Sequence, residues 1–184
     1  MTTPVYATRI TSLSDARYFS GMGVQWLGIQ TDPTAPGYMT AEQFRQIAGW
    51  VNGPQFILEV FTLGDRFDPI ALSQEYGVDQ FCITPSQINK VSSGKFGLHL
   101  DHPEDVKHVT DILFVILPSP AELNSTTTPG VTRLIPGPSS VQEAVEILGE
   151  HPDVGFVVKG SPEEAVGIKE YESMDLLEFL DEED

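Results

Sequence analysis

The 184-residue sequence holds one cysteine, and it has only 10 lysines and arginines against 27 acidic residues. It also has no apolar run approaching the roughly 20 residues that span a bilayer. A single cysteine, Cys82, excludes an internal disulfide and suits a reducing compartment. Within the run Phe81-Cys82-Ile83 it is expected to be a buried, inert thiol. The formal charge of −17 disfavours nucleic acid and anionic membranes, because polyanions are held by Lys and Arg. The N-terminus lacks the basic stretch and apolar run of a secretory signal. A soluble cytoplasmic protein is expected, with neither nucleic acid nor membrane as partner. No Gly-x-Gly-x-x-Gly follows the first strand, which speaks against a dinucleotide-binding open sheet. No third ligand is spaced near His99, Asp101 and His102, so neither a metal nor another cofactor is expected.

What is present fits one domain over residues 1–184, with 40% hydrophobic and 20% charged residues. Val5–Ile10 reads as a first strand, with Tyr6 and Thr8 on one face and Ala7 and Arg9 on the other. Ser14 is placed to cap the helix that follows, and Gly21 and Gly23 end it. Val24–Ile29 is nearly all apolar, as a strand covered on both faces should be. Thr40 with Gln43 forms a capping box before the stripe Phe44, Ile47, Ala48 and Val51. Gln55–Phe61 is the third strand, and Asp68-Pro69 opens another helix.

The same alternation continues through strands at Gln80–Ile83, Phe96–Leu100, Ile112–Leu117, Val131–Ile135 and Val154–Val158. Eight strands alternating with helices predict a parallel sheet with right-handed crossovers, closed as a (β/α)8 TIM barrel. The chain is short for that fold, so a helix must be trimmed. The span from Pro118 to Gly130 predicts a reduced helix after strand six.

The opening resembles the phosphoribosylanthranilate isomerase family of tryptophan biosynthesis. That family typically begins Lys-Ile-Cys-Gly-Ile-Thr, followed by Asp-Ala; here stand Tyr6-Ala7-Thr8-Arg9-Ile10-Thr11 and Asp15-Ala16. The family's Ser-Pro-Arg-Tyr-Val loop is similar to Ala35-Pro36-Gly37-Tyr38-Met39. Its late Ala-Gly-Gly-Leu turn resembles Ile135-Pro136-Gly137-Pro138, and its Pro-Gly-Ile-Lys-Asp resembles Val166-Gly167-Ile168-Lys169-Glu170. The resemblance implies a barrel enzyme that performs an Amadori rearrangement on a phosphorylated aminoaldose. That chemistry needs an acid at the ring oxygen and a base at C2′. The family supplies a strand-one Cys as base and a strand-six Asp as acid. The matching positions are Thr8 and, near the end of strand six, Leu117, while Gly37 replaces the loop arginine. The expected catalytic pair is therefore not intact.

Other candidates are weaker. Arg9 and Lys159 can collect an anion, and Gly137, Gly160 and Ser161 can offer backbone N–H groups to a phosphate at the last two strand ends. His99 and Asp101 are the nearest alternative acid–base pair. Two functions remain open: altered, isomerase-like chemistry on a small phosphorylated sugar-like ligand, or a non-catalytic binding or interaction barrel.

Overall fold

The computed structural model describes residues 3–91, 95–102, 111–124, 130–160 and 174–182. Its eight strands are β1 (Val5–Thr8), β2 (Trp26–Gln30), β3 (Gln55–Glu59), β4 (Phe81–Ile83), β5 (Phe96–His99), β6 (Ile112–Ile116), β7 (Thr132–Pro136) and β8 (Val154–Lys159). Each pairs in parallel with the next, and β8 returns to β1, so the sheet closes as a (β/α)8 barrel.

The helices form where the sequence supplies caps. In α1 (Leu13–Gly21) the N-cap is Ser12, whose hydroxyl accepts from the Asp15 N–H; Ser14 lies inside the helix. In α2 (Ala41–Ala48) Thr40 and Gln43 exchange both bonds of the capping box. In α3 (Pro69–Tyr76) Asp68 accepts two amides ahead of Pro69, and Gly77 closes the helix at φ 73°. In α4 (Val141–Glu150) Ser140 accepts from the Glu143 N–H. Each such cap contributes typically about 1 kcal/mol. The last helix is α5 (Met174–Glu182). Two connections are reduced to 3-10 turns in their described parts: Pro85–Lys90 after β4 and Pro120–Glu122 after β6. The predicted shortening after strand six is thus present, and β4 has a similar one. The helix expected after Asp101 lies outside the described residues.

Alternation along the strands splits the core into two layers. Outward residues such as Ala7, Leu27, Leu58 and Val115 pack against Phe19 and Phe44 of the helices. Inward residues, namely Tyr6, Ile57, Cys82, Phe114, Ile116 and Leu134, fill the barrel itself. Phe114 lies across its lower half, with ring centroids 5.1 Å from Tyr6 and 4.9 Å from Trp26. Gly97 makes room for it, since a Cβ there would strike the Phe114 ring. Among the described residues no helix is long and apolar enough to cross a membrane.

Candidate active site

The C-terminal ends of the strands form the face on which barrels of this kind carry their chemistry. The inward positions there include Thr8 at the end of β1 and Glu59 at the end of β3. Both belong to the small set of polar residues that the fold buries, Thr8 at 9% exposure and Glu59 at 0%.

Glu59 is held from one side only. Its Oε1 accepts from the Tyr6 hydroxyl at 2.7 Å, from the Thr8 hydroxyl, and from the Arg9 N–H at 3.4 Å. Its Oε2 is buried and has no hydrogen-bond partner among the described residues. Glu59 reaches Tyr6 and Thr8 across the intervening strand because β2 carries Gly28 between them. A Cβ on Gly28 would overlap both Glu59 Oε1 and the Tyr6 hydroxyl.

Burial raises the Glu59 carboxyl above its ordinary range. The donated bonds from Thr8 and Tyr6, the Arg9 N–H and the Arg9 charge oppose that rise without cancelling it. Tyr6 is pushed well up, first by burial and then by the neighbouring Glu59. Cys82, inward on β4, is buried and likewise raised by burial and by Glu59, in keeping with an inert thiol.

The loops around this centre are tied down by polar contacts. Asp15 is fully buried, and its Oδ2 accepts from both the N–H and the hydroxyl of Thr11, each at 3.0 Å. Asp32, after β2, accepts from the Thr34 N–H at 2.9 Å, the Thr34 hydroxyl at 2.7 Å and Arg66 at 2.8 Å. These bonds, led by the Thr34 N–H, lower its carboxyl to about 2. Gln30 presents its Oε1 to the Asp32 N–H at 2.9 Å.

The residues singled out from the sequence distribute as follows. Tyr6 and Thr8 share the inward face, as the alternation predicts. Arg9 is exposed and leaves β1 with φ 55°, an uncommon conformation for a residue with a Cβ. It lies beside Gly37, where a Cβ would be 4.0 Å from that of Arg9. Lys159 is exposed and pairs in register with Thr8, so the two are neighbours on the rim. Arg133 turns outward and is bound to Asp153 at 2.7 Å and to the Leu123 carbonyl at 2.8 Å.

Several expectations need correction. The N–H of Gly137 donates to the Val157 carbonyl and that of Gly160 to the Thr8 carbonyl, both at 2.9 Å. Both amides are spent in the sheet ladder and are not free to cradle a phosphate; Ser161 lies outside the described residues. Leu117 is fully buried in the outer layer between barrel and helices. The inward residue at the end of β6 is Ile116 instead. His99 stacks on Phe61 at 5.3 Å, and burial lowers its imidazole despite the opposing charge of Asp101. Asp101 is exposed and forms no hydrogen bond with His99 among the described residues. Nor do the described residues bring three His, Cys, Asp or Glu side chains together as a metal site.

Comparison with known proteins agrees with this architecture. A crystal structure of phosphoribosyl anthranilate isomerase in complex with reduced 1-(o-carboxyphenylamino)-1-deoxyribulose 5-phosphate has a TM-score of 0.70 to this chain, with 11% identity over 96% of each. The chain has the phosphoribosylanthranilate isomerase fold. The isomerase structure from Thermus thermophilus gives 0.69 at 16% identity over 98% of each chain. KGPDC from Streptococcus mutans, in complex with a phosphorylated sugar-like ligand, is more distant at 0.56 and 14% identity, over 86% of this chain and 88% of that one. No protein-family model matches the sequence, and no curated protein matches it.

Placed on that fold, the end of β1 carries Thr8 and the end of β6 carries Ile116. The titratable centre missed in the sequence is Glu59. The available signal was an acid closing an otherwise apolar strand on the same face as Ile57.

Proposed function

We propose that this chain is a divergent barrel of the phosphoribosylanthranilate isomerase kind that does not perform the family's Amadori rearrangement, its mouth having been rebuilt around Thr8 and Glu59. The observation that carries this reading is the pair of inward residues at the ends of β1 and β6. Thr8 occupies the position of the expected base, with its hydroxyl committed to Glu59. Ile116, an apolar side chain 6% exposed, stands where an acid should project. A positioned acid or base typically contributes about 10²–10⁴-fold, so a chain without either loses most of the acceleration.

A small sugar-like ligand is the substrate class we favour, by analogy of fold with structures holding a deoxyribulose 5-phosphate derivative and another phosphorylated sugar-like ligand. Phosphate itself should be held weakly. The Gly137 and Gly160 amides are engaged, Gly37 replaces the gripping arginine, and the net charge is −17. A non-catalytic binding barrel is the rival reading. The coupled Thr8 and Glu59 side chains favour altered chemistry over it, because such a perturbed buried pair at a barrel mouth marks reactive sites more often than surfaces for docking.

Complementation tests the central part. Expressed in a tryptophan auxotroph lacking its own isomerase, the chain should not restore growth without tryptophan. Growth at the rate given by a working isomerase would overturn the reading.

A further inference from the structure

Glu59 is the one buried carboxylate whose second oxygen finds no partner among the described residues, and the family-based reading gives it no role. It sits on the face of the barrel where chemistry is done, and its neighbour Thr8 retains the residual exposure that it lacks. A hydroxyl bonded to a base, with that base oriented by a third group, is the arrangement by which weak hydroxyls are made reactive. Here the base is Glu59 and the hydroxyl is that of Thr8. The third group is Tyr6, whose hydroxyl donates to the same Oε1 at 2.7 Å. Lys159 is the register partner of Thr8 on β8, which sets a positive charge beside the exposed end of the pair.

We propose that Thr8 and Glu59 form a proton relay at the barrel mouth, acting on the α-proton of a small α-hydroxycarbonyl compound, with Lys159 facing the carbonyl oxygen. This deepens the preceding section and rests on its claim that the mouth was rebuilt around these residues. In the step, the α C–H bond breaks and its electron pair forms the enediolate beside the Lys159 ammonium. The proton passes to Thr8 Oγ1 as the Thr8 hydroxyl proton passes to Glu59 Oε1. Reversal returns a proton to carbon, and no oxidant, reductant or co-reactant is consumed.

The geometry also explains why a carboxylate can serve. With Oε2 unsatisfied and the whole group buried, the ionised form is poorly served and holds a proton more tightly than an exposed glutamate does. Such a base is better matched to neutral pH. The charged and titratable groups facing it are Tyr6 and Arg9 from β1 and its end, and Cys82 from β4.

The test is exchange of the α-protons of dihydroxyacetone in deuterated buffer, followed by proton NMR with the full-length protein and its variants. Wild type should accelerate exchange over buffer, with a rate that rises with pH through the Glu59 titration. Glu59→Gln, of nearly the same shape, should lose roughly 100-fold or more and its pH dependence. Thr8→Val should lose the acceleration, Thr8→Ser should retain it, and Lys159→Met should slow it. Circular dichroism on each variant separates loss of exchange from loss of folding. No acceleration by folded wild type, or equal acceleration by folded Glu59→Gln, overturns the relay. Turnover of phosphoribosylanthranilate is scored separately. If it is found and survives Glu59→Gln, relay and preceding section both fall; if it is found and is lost in Glu59→Gln, only the preceding section falls.

Discussion

Tyr6 on β1 and Glu59 on β3 meet across β2, the Tyr6 hydroxyl donating to Glu59 Oε1 at 2.7 Å through the space that Gly28 leaves empty. This contact crosses from one strand to the next but one, and the missing side chain on β2 makes it possible. Everything unusual about the mouth depends on it: the burial of the carboxyl, the bond from Thr8, and the orphaned Oε2.

Gly28→Ala should therefore be destabilising although alanine is small. Its Cβ would overlap Glu59 Oε1 and the Tyr6 hydroxyl, and overpacking of this sort costs typically about 1–3 kcal/mol. Urea unfolding should show a lower midpoint with unchanged slope. A midpoint equal to that of wild type would mean that the Tyr6–Glu59 contact is not formed.

The two buried acids of the mouth should shape stability in opposite directions with pH. Glu59 binds its proton more tightly when folded, so it lowers stability as pH rises from its ordinary 4.5 through the raised folded value. Asp32 binds its proton less tightly when folded. Its contribution is complete above 3.8 and is lost as pH falls towards about 2. Glu59→Gln should accordingly remove a decline on the neutral side, and Asp32→Asn should flatten the loss on the acid side. Unfolding free energies measured across that range decide it. A Glu59→Gln profile parallel to wild type above pH 4.5 would contradict the burial of an ionisable carboxyl there.

Leu117 and Ile116 should respond differently to a change aimed at the mouth. Leu117 is fully buried among outward residues, so Leu117→Ala should cost about 2–5 kcal/mol without touching the barrel mouth. In the same variant the Glu59 titration, followed by carbon-13 NMR, should stay where it is in wild type. A shifted titration would place Leu117 on the inner face after all.

Much of the fold was legible because its signals are local. The Thr40–Gln43 box, Asp68-Pro69 and the Tyr6–Thr8 alternation each lie within a few residues, and each formed as read. Errors came where local signals were degenerate. Thr11, Ser12 and Ser14 can all cap a helix, and only the Asp15 amide decides for Ser12. Strand β6 and Leu117 are apolar throughout, so no alternation fixes which residues face inward; burial in two different layers does. Glu59 was invisible for a further reason. Its environment is made by Gly28 and Tyr6, residues of other strands, and a strand-end acid alone reads as solvent-facing. Gly137 and Gly160 suggested free amides, yet pairing along the strands consumes both.

The most direct measurement for the whole account is a fluorescence assay of freshly generated phosphoribosylanthranilate with purified wild-type protein. Thr8 and Ile116, in place of a base and an acid, are expected to leave its disappearance at the rate of buffer alone. Turnover of about 1 s⁻¹ or more, within the ordinary enzyme range, would contradict the account.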